Sequence, residues 1–200
     1  IGAAMYSWIK RKELKAEGSS VTEGIGLGRV TKNVEGAQVD DAYQIPDAEA
    51  LSLVFDLLKN EGLCVGGSSG INVAGAVRLA QAIEPYGPLW YEEPIPPDNL
   101  LDFAEVQKAV RIPVATGERF TTKAEFATIL RTGGARILQP ALGRVGGIWE
   151  AKKIAAIAEM YNMRVQPHLC AGPVATAAAL QLDACIPNFL IQELYPFRVP

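Results

Sequence analysis

The chain has 200 residues, of which 49% are hydrophobic, so it can bury a core in one large domain or two small ones. Its net charge of −3 argues against the basic surface that nucleic acids and anionic membranes select. No apolar run approaches the roughly 20 residues of a membrane helix, and no signal peptide is visible. Neither a nucleic acid nor a membrane is therefore expected as a partner.

Three cysteines are scattered along the chain without a CxxC pair or a metal-ligand spacing: Cys64, Cys170 and Cys185. An odd, scattered set predicts buried thiols in a reducing compartment, and hence a cytoplasmic location. The alternative is a role for Cys170, which lies two residues after His168. The chain begins with Ile1 rather than Met, which suggests that residues are missing upstream.

The first 87 residues carry uneven signals. A short helix is predicted within residues 3–20, and the glycines of "TEGIGLGR" predict a loop. A strand at about 42–45 should precede a helix that Asp47 caps and that ends before Gly62. The stretch "LCVGGSSGINVAGAVRLAQ" then predicts a buried strand, a glycine-serine turn and a helix whose periodicity runs unbroken across residue 81.

From residue 88 onward, strands and helices alternate regularly. Strand-like runs occur at "LWYEEP", "IPVATGE", "ARILQP", "RVQPH" and "FLIQE", and helices are predicted at about 98–110, 121–132, 147–161 and 172–184. Asp98 can cap the first of these helices, and Thr122 with Glu125 can form a capping box on the second. Short loops between alternating elements predict parallel β/α units.

The carboxyl ends of these five strands carry several residues capable of acid/base or metal-binding chemistry. Their spacings are 26, 23, 27 and 25 residues, and the residues are Glu92, Glu118, Ala141, His168 and Glu193. In a β/α barrel such ends converge on the catalytic face, so five of the eight barrel strands would be present. Carboxylates there could hold Mg²⁺, and the histidine could move a proton on carbon beside a substrate carboxylate. The alternative is that these acids only solvate the strand ends.

Several motifs of the second part resemble a known family. "LWYEEPIPPDN", "IPVATGERF", "ILQPALGRVGGIWEAKKIAAIAE", "VQPHLCAGP" and "NFLIQE" look like the C-terminal barrel of the enolase superfamily, over about residues 82–200. The match is to the mandelate racemase branch, near its acid-sugar dehydratases such as galactonate dehydratase. The resemblance implies that Glu92 and Glu118 bind Mg²⁺ with Glu93 beside them, that His168 is the acid/base, and that Glu193 hydrogen-bonds the substrate.

Two departures from this family pattern count against activity. The branch commonly has an Asp that orients the histidine at the position of Ala141, so His168 is expected to lack this partner. The family's capping domain and first three strands have no counterpart, and with them go one metal carboxylate and the lysines of the second strand. Two glutamates would hold Mg²⁺ weakly.

The first part resembles a different family. "AEGSSVTEGIGLGRVTKNVEGAQVDDAYQIPDAEAL" and "GLCVGGSSGINVAGAVRLA" look like O-acetylserine sulfhydrylase, a cysteine synthase of the fold-type II pyridoxal-phosphate (PLP) enzymes, over about residues 1–81. The resemblance implies that Ser68 bonds the pyridine nitrogen and that the loop with Gly24 and Gly26 lies near the cofactor. The Schiff-base lysine has no counterpart, and without it no aldimine forms. For "GGSSG" alone, a plain tight turn is the alternative.

The two resemblances together predict a hybrid chain: a cysteine synthase-like fragment over 1–81 and an enolase-superfamily partial barrel over 82–200. The predicted fold is α/β, with barrel strands 4–8 joined to part of a PLP domain. Three functions follow: an Mg-dependent acid-sugar dehydratase-like lyase, inactive as a truncated hybrid; a PLP-dependent cysteine synthase; or a non-catalytic chimera. Whether the chain is an enzyme stays open. A small carboxylate substrate is implied, and a homo-oligomer could close the exposed sheet edges.

Overall fold

The computed structural model describes residues 3–15, 20–21, 28–61 and 64–194. The chain divides into two compact units, Ile1–Gly75 and Ala76–Pro200, and the division falls inside one long helix. The boundary predicted after residue 81 lies further along the same helix. Among the described residues, no helix is long and apolar enough to span a membrane.

The first unit is helical. Its elements are α1 (Ala4–Arg11), α2 (Lys32–Glu35), α3 (Asp47–Glu61) and the start of α4 (Gly67–Ile83). The helix predicted from Asp47 is confirmed, whereas residues 42–45 have no regular structure and the predicted strand is wrong. A strand needs a neighbour to pair its backbone N–H and C=O groups, and the described part of this unit contains none. The α/β fragment of a PLP domain predicted here therefore finds no support.

Asp47 anchors the segment before α3. Its carboxylate accepts hydrogen bonds from Ser20 Oγ and from the backbone N–H of Val21, both at 2.8 Å. The bonds from Val21 and then Ser20 lower the pKa of the Asp47 carboxyl, because they stabilise its charged form. This side chain thus joins the start of α3 to residues 20–21, more than twenty positions earlier in the chain.

The predicted glycine-serine turn is also wrong. Residues 67–70 are already helical, so Ser68 lies exposed in the first turn of α4. Gly70 is buried against α3, where a Cβ would lie only 2.2 Å from the backbone oxygen of Ala50. Glycine is needed here because α3 and α4 approach closely at this point, and Ala50 and Val73 are each 1% exposed around it.

The second unit is built on a parallel sheet. Its strands are β1 (Tyr91–Glu92), β2 (Val114–Thr116), β3 (Ile137–Leu138) and β4 (Arg164–Val165), in the order β1-β2-β3-β4. Tyr91 pairs with Val114, Ala115 with Ile137, and Ile137 with Arg164. The fifth predicted strand adds a parallel bridge from Phe189 to Val165, whose N–H donates to Asn188 O at 2.9 Å. All five predicted strand regions therefore pair, side by side in chain order.

Helices follow the strands as predicted. They are α5 (Asp102–Ala109), α6 (Lys123–Thr132), α7 (Leu142–Val145), α8 (Ile148–Met160) and α9 (Pro173–Asp183), and a 3₁₀ turn (Glu84–Tyr86) follows α4. The capping box of Thr122 and Glu125 is confirmed. The cap by Asp98 is wrong, because α5 begins only at Asp102. The short helix α7 was not predicted.

The core of this unit lies between the sheet and the helices. Phe120 and Phe126 meet edge to face with ring centroids 5.2 Å apart. The fully buried side chains include Phe103, Phe126, Ile129, Leu138, Ile154 and Leu182. Outside the core, the prediction of buried thiols is wrong: Cys64, Cys170 and Cys185 are all exposed and free.

Candidate active site

Three of the predicted site residues meet at the carboxyl ends of the strands. His168 follows β4, and its Nδ1 lies 2.9 Å from Oε2 of Glu193 and 3.2 Å from Oε2 of Glu118. The same Glu193 oxygen accepts the backbone N–H of Leu169 at 2.8 Å. The imidazole is 21% exposed, whereas the side chains of Glu118 and Glu193 are 31% and 42% exposed, so this contact is only partly sheltered from solvent. An imidazole whose Nδ1 lies close to two carboxylates is suited to proton transfer.

The path of the chain before Glu118 explains how its carboxylate is aimed. Gly117 lies between the end of β2 and Glu118 with φ 133°, a conformation that favours glycine. A Cβ on Gly117 would come within 3.0 Å of the backbone nitrogen of Gln139. The glycine therefore lets the chain leave β2 close against β3 and turn Glu118 toward His168.

Ala141 lies beside His168 and offers it no side-chain hydrogen bond. The two residues form a parallel bridge, and the backbone N–H of His168 donates to Pro140 O at 3.3 Å. Position 141 thus supplies no orienting acid, as expected, but Glu118 and Glu193 both face Nδ1. A Nδ1–H directed at these acids leaves Nε2 as the nitrogen open to a ligand, and no described residue hydrogen-bonds to it.

Glu92 takes part in a different set of contacts. Its Oε2 accepts hydrogen bonds from Trp90 Nε1 at 3.0 Å and from Gln139 Nε2 at 2.6 Å. Gln139 Nε2 also donates to Gln166 Oε1 at 2.6 Å, and Gln166 Nε2 donates to Pro167 O at 2.9 Å. Both glutamines are 2% exposed. A buried chain of amides thus joins Glu92 to the residue that precedes His168.

Gln139 and Gln166 were not among the predicted site residues, although the sequence contains a signal for them. The dipeptide Gln-Pro occurs at equivalent positions of two strand ends, in "ILQPA" and "RVQPH". Leu138 pairs with Val165, so the two glutamines stand opposite each other on neighbouring parallel strands and point to the same face of the sheet. A repeated polar residue at this position therefore indicates a contact between the two amides.

Glu93 points to other partners than Glu92. Its φ of 35° is unusual for a residue with a side chain. Its carboxylate accepts hydrogen bonds from Thr116 Oγ1 at 3.2 Å and from Arg119 Nε at 2.6 Å. Two consecutive acids therefore serve separate contacts, and Arg119 is committed to Glu93.

The predicted Mg²⁺ ligands stay a prediction. Within the described part of the chain, no group of three or more Asp, Glu, His or Cys side chains is arranged to hold a metal ion. Glu92 is bonded to Gln139 and Trp90, whereas Glu118 is paired with His168. The two glutamates do supply the oxygen donors that Mg²⁺ prefers, from the ends of neighbouring strands.

Two cavities open at these strand ends. One, of about 510 Å³, is lined by residues that include Glu118, Ala141, Arg144, His168 and Cys170. The other, of about 270 Å³, is lined by Trp90, Glu92, Gln166, Ile191, Gln192 and Glu193. Each cavity combines apolar walls with a few acidic or polar groups, as small-molecule sites commonly do.

The residues predicted to contact PLP do not form a site in the described structure. Ser68 lies exposed in the first turn of α4 rather than in a turn between a strand and a helix. Gly24 and Gly26 lie outside the described residues.

The fold and the site define an α/β protein with a parallel, barrel-type sheet and an acid-histidine group at its carboxyl ends. The chain belongs to the family described as Enolase C-terminal domain-like, whose model matches residues 42–199. That match includes residues 42–81, which were predicted by resemblance to be part of a sulfhydrylase fragment. The comparisons lend no support to a sulfhydrylase segment, to a PLP cofactor or to a hybrid chain.

Curated relatives are acid-sugar dehydratases. The D-galactonate dehydratase of Variovorax paradoxus (strain S110) is 44% identical over 118 residues, which cover 59% of this chain and 31% of the relative. The D-galactonate dehydratase of Ralstonia nicotianae is 42% identical over 115 residues, covering 58% and 30%. The chain thus spans about a third of the length of these relatives.

Comparison with solved structures also finds enolase-related proteins. A mandelate racemase/muconate lactonizing enzyme from Sulfitobacter sp. is 66% identical with a TM-score of 0.62, covering 63% of this chain and 32% of the other. An enolase from Agrobacterium radiobacter, solved with bound Na and L-malate, is 38% identical with a TM-score of 0.61, covering 62% and 31%.

Proposed function

We propose that this chain carries the acid/base part of an acid-sugar dehydratase-like site, in which a proton is removed from the carbon next to a substrate carboxylate. The observation that supports this most directly is the His168 imidazole, held through Nδ1 by Glu118 and Glu193 beside a cavity of about 510 Å³. The curated relatives, which are D-galactonate dehydratases, support the same reaction class.

In this proposal, each side of the imidazole has its own role. Nε2 takes the proton from the α-carbon, while Glu118 and Glu193 stabilise the charged ring through Nδ1. His168 then returns this proton from Nε2 to the hydroxyl group on the neighbouring carbon, which leaves as water, while the electron pair of the broken C–H bond forms the new carbon–carbon double bond. Glu193 also accepts the N–H of Leu169, which fixes its carboxylate for this role and for a hydrogen bond to the substrate.

The metal part of the proposal rests on Glu92 and Glu118. Their donor chemistry fits Mg²⁺, which commonly binds one or two carboxylates and keeps several waters. When bound, Mg²⁺ would stabilise the negative charge that develops on the substrate carboxylate. Since the described residues group no third acid with these two, we expect weak binding.

The location and assembly of the protein belong to the same proposal. Three free cysteines are compatible with the reducing cytoplasm. In the described sheet, β1 pairs only with β2, so a second copy of the chain could cover that edge. Light scattering after size-exclusion chromatography measures the assembly state directly.

The test of the proposed function is exchange of the α-proton. D-galactonate is incubated with the protein and Mg²⁺ in D₂O, and loss of the α-proton signal is followed by proton NMR. His168→Asn should abolish exchange, because an amide cannot take up the proton. Cys170→Ser, which changes another residue lining the same cavity, serves as the control and should retain it.

Two results would contradict the proposal. Exchange that continues unchanged in His168→Asn would mean that another group removes the proton. Absence of exchange in the unmodified protein, with the fold intact by circular dichroism, would favour the non-catalytic alternative.

A further inference from the structure

Arg144 lines the same cavity as His168 and Glu118. It belongs to α7, the short helix that leaves the end of β3 immediately after Ala141. Ala141 in turn forms the parallel bridge with His168. The backbone therefore places an arginine and the candidate acid/base histidine on the wall of one pocket, although 24 residues separate them in the sequence.

The helix α7 holds Arg144 in a defined position. Leu142 and Val145 are each 6% exposed and anchor the turn in the core, whereas Arg144 is exposed. The backbone N–H of Arg144 donates to Ala141 O at 2.9 Å, and Gly146 ends the turn with φ 97°. Because the turn is fixed on its buried side, its exposed side presents the arginine in a reproducible place.

The charges around the cavity explain what this arginine can do. Glu118 lines the cavity and Glu193 contacts His168, so an acidic substrate would meet two carboxylates. Arg119 is already paired with Glu93. Arg144, by contrast, makes no ion pair with any residue in the described part of the chain. Its guanidinium is therefore available to an anion from solution.

We infer that Arg144 binds a carboxylate group of the substrate and so makes the His168 site selective for carboxylate ligands. A guanidinium recognises a carboxylate through two parallel hydrogen bonds, which orient the ligand as well as attract it. This inference rests on the proposed function and names the group that would hold the substrate during proton transfer.

The test measures binding without turnover. L-malate, which the Agrobacterium radiobacter relative binds, and D-galactonate serve as probes in isothermal titration calorimetry. Arg144→Gln should weaken the binding of both acids by at least about tenfold, since a charge-assisted pair is lost. Arg144→Lys should restore part of the loss, because a lysine keeps the charge but lacks the fork of donors.

Arg136→Gln is the matched control. Arg136 is exposed and stands just before β3, at the opposite end of the strand from Ala141, so its loss removes the same charge without touching the cavity. Its affinity for both acids should equal that of the unmodified protein. The neutral diamide of malate should bind the unmodified protein and Arg144→Gln equally weakly, because it offers no carboxylate.

The inference is overturned if Arg144→Gln binds the acids as well as the unmodified protein does, or if Arg136→Gln weakens binding as much. It is also overturned if the unmodified protein shows no saturable binding of either acid. The proposed function can fail separately: acid binding through Arg144 without α-proton exchange leaves this inference standing, whereas exchange unaffected by Arg144→Gln overturns the inference alone.

Discussion

The two units of the chain differ in the packing that stabilises each of them internally. In the described part of Ile1–Gly75, helices α3 and α4 pack closely through Gly70, and no sheet is present. In Ala76–Pro200, a parallel sheet forms the centre and helices cover it. The first kind of packing depends on the absence of one side chain, and the second depends on the presence of many large ones. The first unit should therefore be destabilised by adding a side chain at Gly70, and the second by removing a large buried side chain.

The largest effect is expected from Phe126→Ala in the second unit. Phe126 is 0% exposed and contacts Phe120, so its removal leaves a cavity in the core. The free energy of unfolding should fall by about 3–5 kcal/mol, measured by equilibrium urea denaturation. Trp149→Ala is the control, because Trp149 is 68% exposed and should cost about 0.5 kcal/mol or less. Equal losses in the two variants would mean that this core does not stabilise the unit.

A smaller effect is expected from Gly70→Ala in the first unit. The new Cβ would lie 2.2 Å from Ala50 O, so α3 and α4 must separate, at a cost of about 1–3 kcal/mol. Gly75→Ala in the same helix is the control: apart from the neighbouring backbone of α4, no atom lies within 4 Å of the added Cβ, and the substitution should stabilise the helix by about 0.5–1 kcal/mol. Amide hydrogen exchange of residues 47–61 separates the two outcomes, and protection that rises in both variants would refute the close approach.

The smallest effect concerns pH and the end of α9. Both carboxylate oxygens of Asp183 are buried without a partner among the described residues, and this burial raises the pKa of the Asp183 carboxyl from 3.8 to about 6. The folded state therefore keeps the proton more tightly than the unfolded state. The resulting stabilisation is fully present below the unfolded pKa of 3.8 and is lost as the pH rises through about 6.

Asp183→Asn removes this titration. The Tm of the variant relative to the unmodified protein should increase as the pH is raised from about 4 to about 7, followed by differential scanning fluorimetry. Asp98→Asn changes an exposed carboxyl in the same unit and should show no such trend. A Tm difference that is constant with pH would contradict the assignment to Asp183.

The two units also differed in how far their sequences predicted them. Alternation of strands and helices after residue 88 was a regular signal. The spacing of strand ends predicted that Glu92, Glu118, His168 and Glu193 would converge, and the last three of these are in contact. In the first unit, the sequence "GGSSG" was compatible with two structures. Its glycines favour a turn, but Gly70 instead allows a close contact between α3 and α4, which only the three-dimensional structure reveals. A helix of four residues such as α7 is too short for its periodicity to be detected.

The details of the site were less predictable than its members. The absence of an acid at Ala141 was visible in the sequence, but the approach of two glutamates from other strand ends to His168 depends on distances across the sheet. The bond from Gln139 to Glu92 joins residues 47 positions apart and non-adjacent strands, which no local pattern encodes.

The chain of amides through Gln139 and Gln166 links Glu92 mechanically to the segment that carries His168. An amide group gains or loses no proton under ordinary conditions, so this connection transmits position without transmitting charge. A movement of Glu92 that accompanies the arrival of a ligand would therefore shift Pro167 and the segment that carries His168. The hydrogen bonds thus couple the position of Glu92 to that of the segment before His168.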